Sequence, residues 1–357
     1  MIYYSGKELF DRGYFLNFLK GPRGVGKTFL MKKRSTVRAV KKKSQFIWLR
    51  RYGTELDKDF RESFYRNIIK AANDPKAEMS EEDREELKDM HYKLEKNQIF
   101  ASTKSYNGKD PIGYYYALSK TQAKKSVDYP IVNDVIFDEY IIKAKSTLHY
   151  LPNEFTTFME FISTVTRLSR GKHVYCIGNN ISFTDPYSLA FNMRPTKQRF
   201  TVYTNPANGK KNVCQEMYRN PEFENAMYNT EFGQIVQGTL YGAYAVENEA
   251  LEDNLDFVAK KPPNALWRLG IRYCGVYIGF YLDMNEGRLY ASRNYDRTSN
   301  RLYSLTREDH TLNTFLISNR KNMFMLRELA SMFQHGDLYF EDVQLKTICL
   351  EMLPYIL

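Results

Sequence analysis

Short runs of apolar residues, separated by longer amphipathic or polar stretches, recur along the first half of the chain. They lie at residues 14–19, 45–52, 131–139 and 174–180. Continuous apolar runs of this length are typical of parallel strands that are covered on both faces. The pattern therefore predicts an α/β domain with an open parallel sheet, in which ligands bind at the carboxyl ends of the strands.

Two stretches between these runs have the character of helices. Residues 155–169 carry apolar side chains at spacings of three, four and one, which predicts an amphipathic helix. Its apolar positions are Phe155, Phe158, Phe161, Ile162, Val165 and Leu168. Residues 55–96 are dense in charge, and Ser80 followed by Asp83 is typical of the start of a helix. We expect this second stretch to be an exposed helical insertion.

The character of the sequence changes after residue 201, and we expect a domain boundary between residues 201 and 242. Beyond it, residues 270–283 are rich in β-forming side chains, and a turn leads them into a second strand at 288–291. Further elements are expected as a third strand at 301–305 and as helices at 323–333 and 343–353.

Residues 21–28, Gly-Pro-Arg-Gly-Val-Gly-Lys-Thr, lie between the first apolar run and a helical segment that begins near Phe29. This spacing of glycines, lysine and hydroxyl predicts a P-loop, whose backbone N–H groups cradle the phosphates of a nucleotide. In such a loop Lys27 reaches the β and γ oxygens, and the Thr28 hydroxyl ligates Mg²⁺. The positive end of the following helix dipole adds to phosphate binding.

The apolar run at 131–139 ends in two adjacent carboxylates, Asp138 and Glu139. A P-loop NTPase needs an acidic residue at the end of a second buried strand to hold Mg²⁺, and usually a group that positions the attacking water. We assign the first role to Asp138 and the second, the catalytic base, to Glu139. The next run ends in amides, and Asn179 is suited to hydrogen-bond the γ-phosphate or the water.

The chain carries a net charge of +10, from 52 Lys and Arg residues against 42 Asp and Glu. Such an excess fits a polyanionic partner. Seven of the cations crowd into residues 32–43, directly after the P-loop. Arg50 and Arg51 lie at the predicted carboxyl end of a strand. We expect one or the other to face the phosphates or a neighbouring subunit, and a surface ion pair is the alternative for either.

No apolar run approaches 18 residues, and the N-terminus lacks the long apolar stretch of a signal peptide. We therefore expect a soluble intracellular protein. The cysteines, which lie far apart and show no paired spacing, are expected to be buried free thiols. They are Cys176, Cys214, Cys274 and Cys349.

Taken together, these segments resemble the DNA-packaging (encapsidation) ATPases of small tailed phages of the Picovirinae kind. The matching segments occur in the same order over nearly the whole chain, so the resemblance is far more specific than the P-loop alone. The matching segments are the P-loop region from Asn17, 45–52, 135–139, 151–154, the surroundings of Arg167 and Asn179, 199–203, 232–233 and 238–242.

The resemblance implies a division of the chain into three parts. These are an additional-strand (ASCE, RecA-like) P-loop ATPase domain at 1–204, a small helical linker at 205–242, and an α+β RNase H-like domain at 243–357. The last domain is expected to have lost its nuclease activity. Two-metal nucleases need several converging carboxylates, whereas one of the two best strands here ends in Asp283 and the other has no acid.

The resemblance also implies a function and its partners. The chain would be an ATP-driven motor, with ATP and Mg²⁺ as cofactors, that moves double-stranded viral DNA into the procapsid. It would form a homopentameric ring and contact the portal protein and, in some relatives, a packaging RNA. Such a motor would work in the host cytoplasm, transiently at the procapsid portal vertex, and would be absent from the mature virion.

By position, Arg167 matches the trans-acting arginine finger of that family, with Arg170 as the second choice. Such a finger stabilises charge on the γ-phosphoryl group in the neighbouring subunit and is worth roughly 10³ to 10⁵ in rate. The expected catalytic residues are thus Lys27, Glu139 and Arg167, and the metal ligands are Thr28 and Asp138. The expected nucleotide-binding residues are Gly21, Arg23, Gly24, Val25, Gly26, Lys27, Thr28 and Asn179.

The chain departs from the family pattern at one position that matters. Relatives can carry, directly after the Arg-Arg-Tyr triplet, a lysine that acts across the subunit interface, whereas this chain has Gly53. Other functions compatible with the motifs are a nucleic-acid-dependent ATPase or helicase-like translocase unrelated to packaging, a P-loop phosphotransferase, and a docking protein with a purely structural P-loop. The pair Asp138 and Glu139 disfavours the phosphotransferase, which must avoid activating water.

Overall fold

The fold is described from a computed structural model of the chain. The chain divides into two compact units, Met1–Glu252 and Asp253–Leu357. The structure describes residues 3–124, 127–142, 149–167, 169–182, 185–191, 193, 196, 198–205, 207–249, 257–317 and 324–356. Within those residues, none of the helices has the length and apolar character needed to cross a bilayer.

The first unit is built on nine strands and ten helices among the described residues. The strands are β1 Leu16–Lys20, β2 Gln45–Arg50, β3 His91–Glu95, β4 Gln98–Ser102, β5 Gly113–Ala117, β6 Val132–Asp138, β7 His173–Gly178, β8 Phe200–Thr204 and β9 Lys211–Met217. The helices are α1 Lys7–Arg12, α2 Lys27–Lys42, α3 Lys58–Ser63, α4 Arg66–Asn73, α5 Glu81–Leu87, α6 Glu154–Thr166, α7 Pro186–Ala190, α8 Pro221–Tyr228, α9 Glu231–Val236 and α10 Leu240–Ala245. Short 3₁₀ helices lie at Gly53–Leu56 and Leu118–Lys124.

These nine strands form one sheet in the order β3-β4-β5-β2-β6-β7-β1-β9-β8. The six central strands, which are β5, β2, β6, β7, β1 and β9 in order across the sheet, run parallel to one another. Strands β3 and β4 at one edge and β8 at the other pair antiparallel with their neighbours. Strand β7 lies between the P-loop strand β1 and the carboxylate strand β6. This inserted strand is the defining feature of an additional-strand ATPase sheet, so the predicted fold class is confirmed.

The predicted apolar runs are confirmed as β1, β2, β6 and β7, and the sheet is covered on both faces. Alternate residues of β2 point into separate cores, with Trp48 on one side and Ile47 and Leu49 on the other. Helix α2 packs into the first core through Met31 and Ala39. Helix α6 packs into the second core through side chains that the amphipathic pattern identified, namely Phe158, Phe161, Ile162 and Val165. Leu168, the last residue of that pattern, lies outside the described residues.

A buried ion pair ties the end of β2 to the start of α6. The Arg51 guanidinium, 1% exposed, donates to both carboxylate oxygens of Glu154 at 2.8 and 3.0 Å. It also donates to the carbonyl oxygens of Glu139 and Tyr140, at 3.2 and 2.6 Å. Glu154 accepts a further hydrogen bond from the Tyr187 hydroxyl at 2.8 Å. Arg51 therefore fixes the backbone turn that follows β6.

The charge-dense stretch 55–96 differs from the prediction. It is largely helical up to Leu87, and Ser80 caps α5 by accepting a hydrogen bond from the Asp83 amide as expected, but it ends in strand β3. However, the stretch is not simply exposed, because Phe64, Tyr65 and Ile68 are buried in the same core as α2. Phe64 and Tyr65 lie between α3 and α4, and these helices, of six and eight residues, have too few turns to show a helical period.

The segment 205–242 contributes β9, which pairs in parallel with β1, and three short helices that follow it. The compact unit that contains these elements extends to Glu252. That this segment works as a linker between domains stays a prediction.

The second unit contains a six-stranded sheet in the order β14-β13-β10-β11-β12-β15. Strands β10, β11 and β12 are antiparallel neighbours, and β13 and β14 continue the sheet in parallel with β10. This mixed α+β arrangement agrees with the expected RNase H-like class. The elements are β10 Leu266–Tyr273, β11 Val276–Asp283, β12 Arg288–Ser292, β13 Leu302–Ser304, β14 Phe315–Leu316, α11 Phe324–His335, β15 Leu338–Phe340 and α12 Val343–Met352, followed by a 3₁₀ turn at Leu353–Tyr355.

The run 270–283, predicted as one strand, is a hairpin of two. Cys274 and Gly275 form its turn with φ angles of 50° and 75°. The Asp309 carboxylate accepts hydrogen bonds from both of their amides, at 3.0 and 2.8 Å. Cys274 is consequently exposed, so the expectation of a buried thiol is wrong there, whereas Cys176, Cys214 and Cys349 are buried.

Removing Glu154 should destabilise the first unit severely. The variant Glu154→Ala leaves the Arg51 charge buried without its partner, which typically costs about 3–5 kcal/mol. Denaturation followed by the fluorescence of Trp48, in a Trp267→Phe background that silences the second unit, measures this cost. Glu78→Ala removes an exposed carboxylate and should leave the midpoint unchanged. Equal midpoints for the two variants would contradict the structural role of the pair.

Candidate nucleotide-binding site

The loop 21–28 joins β1 to α2 and is held in a fixed shape. Gly24 and Gly26 have φ angles of 77° and 93°, a left-handed conformation that glycine adopts without strain. The Gly21 amide donates to the Gly178 carbonyl at 3.3 Å, and the Arg23 amide donates to the Ala245 carbonyl at 3.0 Å. The loop thus leads directly into the first turn of α2, as a P-loop requires.

Lys27 folds back onto its own loop. Its Nζ donates to the carbonyl oxygens of Gly21 and Pro22 at 2.7 and 2.5 Å, and to Asn179 Oδ1 at 3.1 Å. The side chain is almost fully buried, and this burial lowers its pKa to about 7, although the nearby Asp138 carboxylate opposes the shift. The ammonium group is therefore held between the loop and β7, where phosphate oxygens can replace the carbonyls as its partners.

The carboxylates after β6 lie beside Thr28. The Thr28 hydroxyl donates to Asp138 Oδ1 at 3.1 Å. Burial raises the pKa of Asp138, and the attraction of Arg50 opposes this effect. Glu139 by contrast projects an exposed side chain from a backbone with φ of 55°. A hydroxyl and a carboxylate oxygen so close together are the hard ligands that Mg²⁺ prefers.

Arg50 contacts both carboxylates at once. Its Nη1 donates to Asp138 Oδ2 at 3.1 Å, and its Nη2 donates to Glu139 Oε2 at 2.9 Å. Its Nε donates to Glu55 Oε1 at 3.1 Å. Of the alternatives left open by the sequence, Arg50 thus faces its own site, whereas Arg51 is a buried structural ion pair. The parallel register, in which Leu49 lies opposite Phe137, brings Arg50 beside Asp138.

Most of the predicted site residues line a single cavity of about 280 Å³ at the carboxyl end of the sheet. They are Arg23, Gly24, Gly26, Lys27, Thr28, Asp138, Glu139 and Asn179, together with the neighbouring Phe29, Ile177 and Gly178. Gly21 lies against the Lys27 side chain instead. The Val25 side chain is fully buried, so only the backbone of this residue is available to a phosphate.

Arg167 lies far from this cavity. It follows the last residue of α6, is half exposed and forms an ion pair with Asp128. Helix α6 has 13 residues, which at 1.5 Å per residue separates its two ends by about 20 Å. Because Glu154 at the first end lies beside the carboxylate turn, Arg167 lies at the opposite edge of the sheet. It cannot reach the cavity of its own chain.

The side chain of Lys120 packs against Gly53. A Cβ atom built on Gly53 would lie 3.1 Å from both the Cε and the Nζ atoms of Lys120, so the Lys120 side chain occupies the space beside this glycine. The sequence offered no signal for this pairing, because the two residues are brought together only by the parallel pairing of β2 with β5.

In the second unit, Asp283 has a structural role. Its carboxylate accepts from the Asn285 amide at 3.0 Å within the turn that leads to β12, and the residue is 5% exposed. Among the residues that the structure describes, no group of three or more His, Cys, Asp or Glu side chains could hold a metal ion. The loss of nuclease activity stays a prediction.

Comparison with protein families gives a match over nearly the whole chain. The family described as Podovirus DNA encapsidation protein (Gp16) matches residues 1–355. The DNA packaging protein of Bacillus phage phi29 is 30% identical over 352 residues, which cover 98% of this chain and 97% of the relative. The DNA packaging protein of Bacillus phage B103 is 30% identical over 344 residues, covering 96% and 97%.

Comparison with solved structures agrees with this result. A chain in the structure described as "The bacteriophage Phi-29 viral genome packaging motor assembly" superposes with a TM-score of 0.77. The two chains are 27% identical, and the alignment covers 100% of each. Both units of the present chain therefore have counterparts in that protein.

The pKa of Lys27 predicts proton uptake on ligand binding. At pH 8 its amine is mostly neutral, because its pKa is about 7. The negative charge of a bound triphosphate raises that pKa again, so ATP binding at pH 8 should take up about one proton more than in a Lys27→Arg protein, whose guanidinium stays charged. Calorimetry in buffers of different ionisation enthalpy, with Glu139→Gln in both proteins to prevent turnover, measures the difference. Equal uptake by both proteins would contradict the lowered pKa.

Proposed function

Since this chain belongs to the Podovirus DNA encapsidation protein (Gp16) family, we propose that it is an ATP-hydrolysing motor that drives double-stranded viral DNA into the procapsid. One observation carries the proposal. The P-loop, the hydroxyl and carboxylate pair and Asn179 converge on a single cavity, in a chain that matches a viral packaging protein over nearly its full length.

In this proposal the cavity binds the triphosphate of ATP. The N–H groups of loop 21–28 and the ammonium of Lys27 hold the phosphates, and Asn179 hydrogen-bonds the γ-phosphate. Thr28 and Asp138 would hold Mg²⁺, which, when bound, neutralises charge that develops on the β- and γ-phosphate oxygens. The fit is supported by the hydrogen bond between these two side chains.

Glu139 is the base that polarises the attacking water. Its carboxylate is exposed to the cavity but is bound to Arg50. Arg50 must release it before Glu139 can orient water, and a bound γ-phosphate offers the guanidinium a more strongly charged partner. Arg50 therefore couples the presence of the triphosphate to the availability of the base.

Arg167 acts on the neighbouring subunit. It cannot reach its own cavity, and a half-exposed arginine at the opposite edge of the sheet suits a finger that enters the next site in a ring. We propose a homopentameric ring at the portal vertex of the procapsid, in contact with the portal protein and, where one exists, a packaging RNA. Relatives can carry, at the position of Gly53, a lysine that acts across the subunit interface. In this ring Lys120 has that role instead.

The second unit serves as a binding platform rather than a nuclease. Strand β10 carries no acid, and Asp283 is engaged in a turn. The protein acts in the cytoplasm of the infected cell, transiently at the portal vertex, and leaves before the virion matures.

Mixing two inactive variants tests the shared site. Arg167→Ala and Glu139→Gln should each lose DNA-stimulated ATP hydrolysis, the former by roughly 10³-fold or more. In a mixture, subunits with Glu139→Gln supply Arg167 to the intact sites of their neighbours, so activity should partly return. Phosphate release with saturating double-stranded DNA measures this recovery.

The exposed Arg66 provides a matched control. Arg66→Ala should keep the full rate, because this residue lies on α4 and does not line the cavity. No recovery on mixing would contradict an active site shared between subunits. Loss of hydrolysis with Arg170→Ala but not with Arg167→Ala would show that the finger is assigned to the wrong arginine.

A further inference from the structure

A second cavity, of about 440 Å³, lies at the opposite edge of the same sheet from the nucleotide site. It forms where the parallel strands β7, β1 and β9 begin. Its lining contains cationic and neutral residues and no carboxylate. The residues are Arg12, Gly13, Tyr14, Phe15, Ser169, Arg170, Gly171, Lys172, His173, Lys211 and Asn212.

Three of these cations are available to a ligand. Arg12, Arg170 and Lys211 are exposed, and within the described part of the chain none of them has a carboxylate within ion-pair distance. Arg12 is positioned by stacking on the Phe200 ring at 4.0 Å. Lys172 differs, because its buried Nζ donates to the carbonyl oxygens of Tyr129 and Val165 at 2.8 and 2.7 Å and so supports the fold.

Most of the largest basic cluster in the sequence is engaged within the fold. On α2, Lys33 pairs with Asp83 at 2.7 Å, and Lys41 pairs with Glu82 at 2.5 Å. Arg34 and Arg38 both pair with the buried Asp134, at 3.1 and 2.8 Å. Four of the seven cations at residues 32–43 thus share three carboxylates, whereas Lys42 and Lys43 are exposed. The cations of the second cavity retain their charge for an external anion.

The spacing of these cations fits a phosphate backbone. Adjacent strands lie about 4.8 Å apart, so the starts of β7, β1 and β9 span roughly 10 Å. Arg170 and Arg12 precede β7 and β1 by a few residues, and Lys211 begins β9. Along the axis of duplex DNA each strand carries a phosphate about every 3.4 Å. Consecutive phosphates lie farther apart in space than this axial rise, so the edge can meet two of them. The cavity is open and its arginine and lysine side chains are exposed. Such a site suits a polyanion that must bind and dissociate rapidly.

We propose that this cavity binds the phosphate backbone of duplex DNA, through Arg12, Arg170 and Lys211. It is distinct from the nucleotide site, because the five-residue strand β1 alone separates the two edges by about 16 Å. The proposal rests on the proposed function, since DNA is the substrate of the motor. It adds a place on the chain where that substrate is held, independently of sequence and with strong salt dependence.

The test compares three full-length proteins. In the cavity variant, Arg12, Arg170 and Lys211 are all changed to Gln, and in the control variant the exposed Lys70, Lys76 and Lys109 are changed to Gln. Anisotropy of a short dye-labelled duplex of mixed sequence, titrated over a range of salt concentrations, gives the affinity and its salt slope. Binding of a fluorescent ATP analogue without DNA shows whether each variant is folded.

We expect the cavity variant to bind duplex about tenfold more weakly and to lose about two to three units of salt slope, since each neutralised phosphate contributes roughly one. The control variant should match the wild type, and all three proteins should bind the nucleotide analogue equally. A charge-retaining variant, with Arg12→Lys, Arg170→Lys and Lys211→Arg, should restore the slope.

Other outcomes overturn the proposal in distinguishable ways. Equal slopes for the wild type and the cavity variant, or equal losses in both glutamine variants, would show that the cavity makes no specific contact with DNA. If inorganic pyrophosphate protected the cavity from labelling by an arginine reagent while duplex did not, the site would belong to a small phosphate ligand. A wild type that binds no duplex at all would instead count against the proposed function.

Discussion

Two adjacent arginines at the end of β2 hold the carboxylate turn from opposite sides, and the nucleotide site depends on this arrangement. Successive residues of a strand point to opposite faces. Arg51 is therefore directed into the core, where Glu154 and the backbone of Glu139 and Tyr140 fix its position. Arg50 is directed into the cavity, where it balances the negative charge of Asp138 and Glu139. Arg51 fixes the position of the turn, and Arg50 balances the negative charge of its two carboxylates.

The same ion pair orients α6, and this has a consequence for assembly. Because Glu154 begins the helix beside the carboxylate turn, the helix crosses the face of the sheet and ends at Arg167 on the far edge. The chain thus places its phosphate-binding loop and its candidate finger on opposite edges of one sheet. If Arg167 is the finger, as proposed, a rigid subunit built in this way completes its active site only with a second copy. Neighbouring subunits of a ring would then have to cooperate because the loop and the finger lie at opposite ends of the parallel strands. No flexible loop would be needed for this.

The parts of the structure that could be predicted from the sequence are those encoded by neighbouring residues. The P-loop and the carboxylate pair are local motifs, and the helix at 154–166 has enough turns to show its period. The contacts of Arg50 and the packing of Lys120 against Gly53 depend on the pairing of strands that lie far apart in sequence. The hairpin turn at Cys274 and Gly275 similarly depends on Asp309, more than thirty residues away. The resemblance to packaging ATPases identified the family but could not show these contacts.

The most direct test of the account is a packaging assay with purified procapsids, viral DNA and ATP. The wild-type protein should make the DNA resistant to an added nuclease, and Glu139→Gln, which can still bind ATP, should give no protected DNA. Protection by both proteins would show that hydrolysis at this site does not drive DNA movement. It would contradict the assignment of the cavity as the motor's active site.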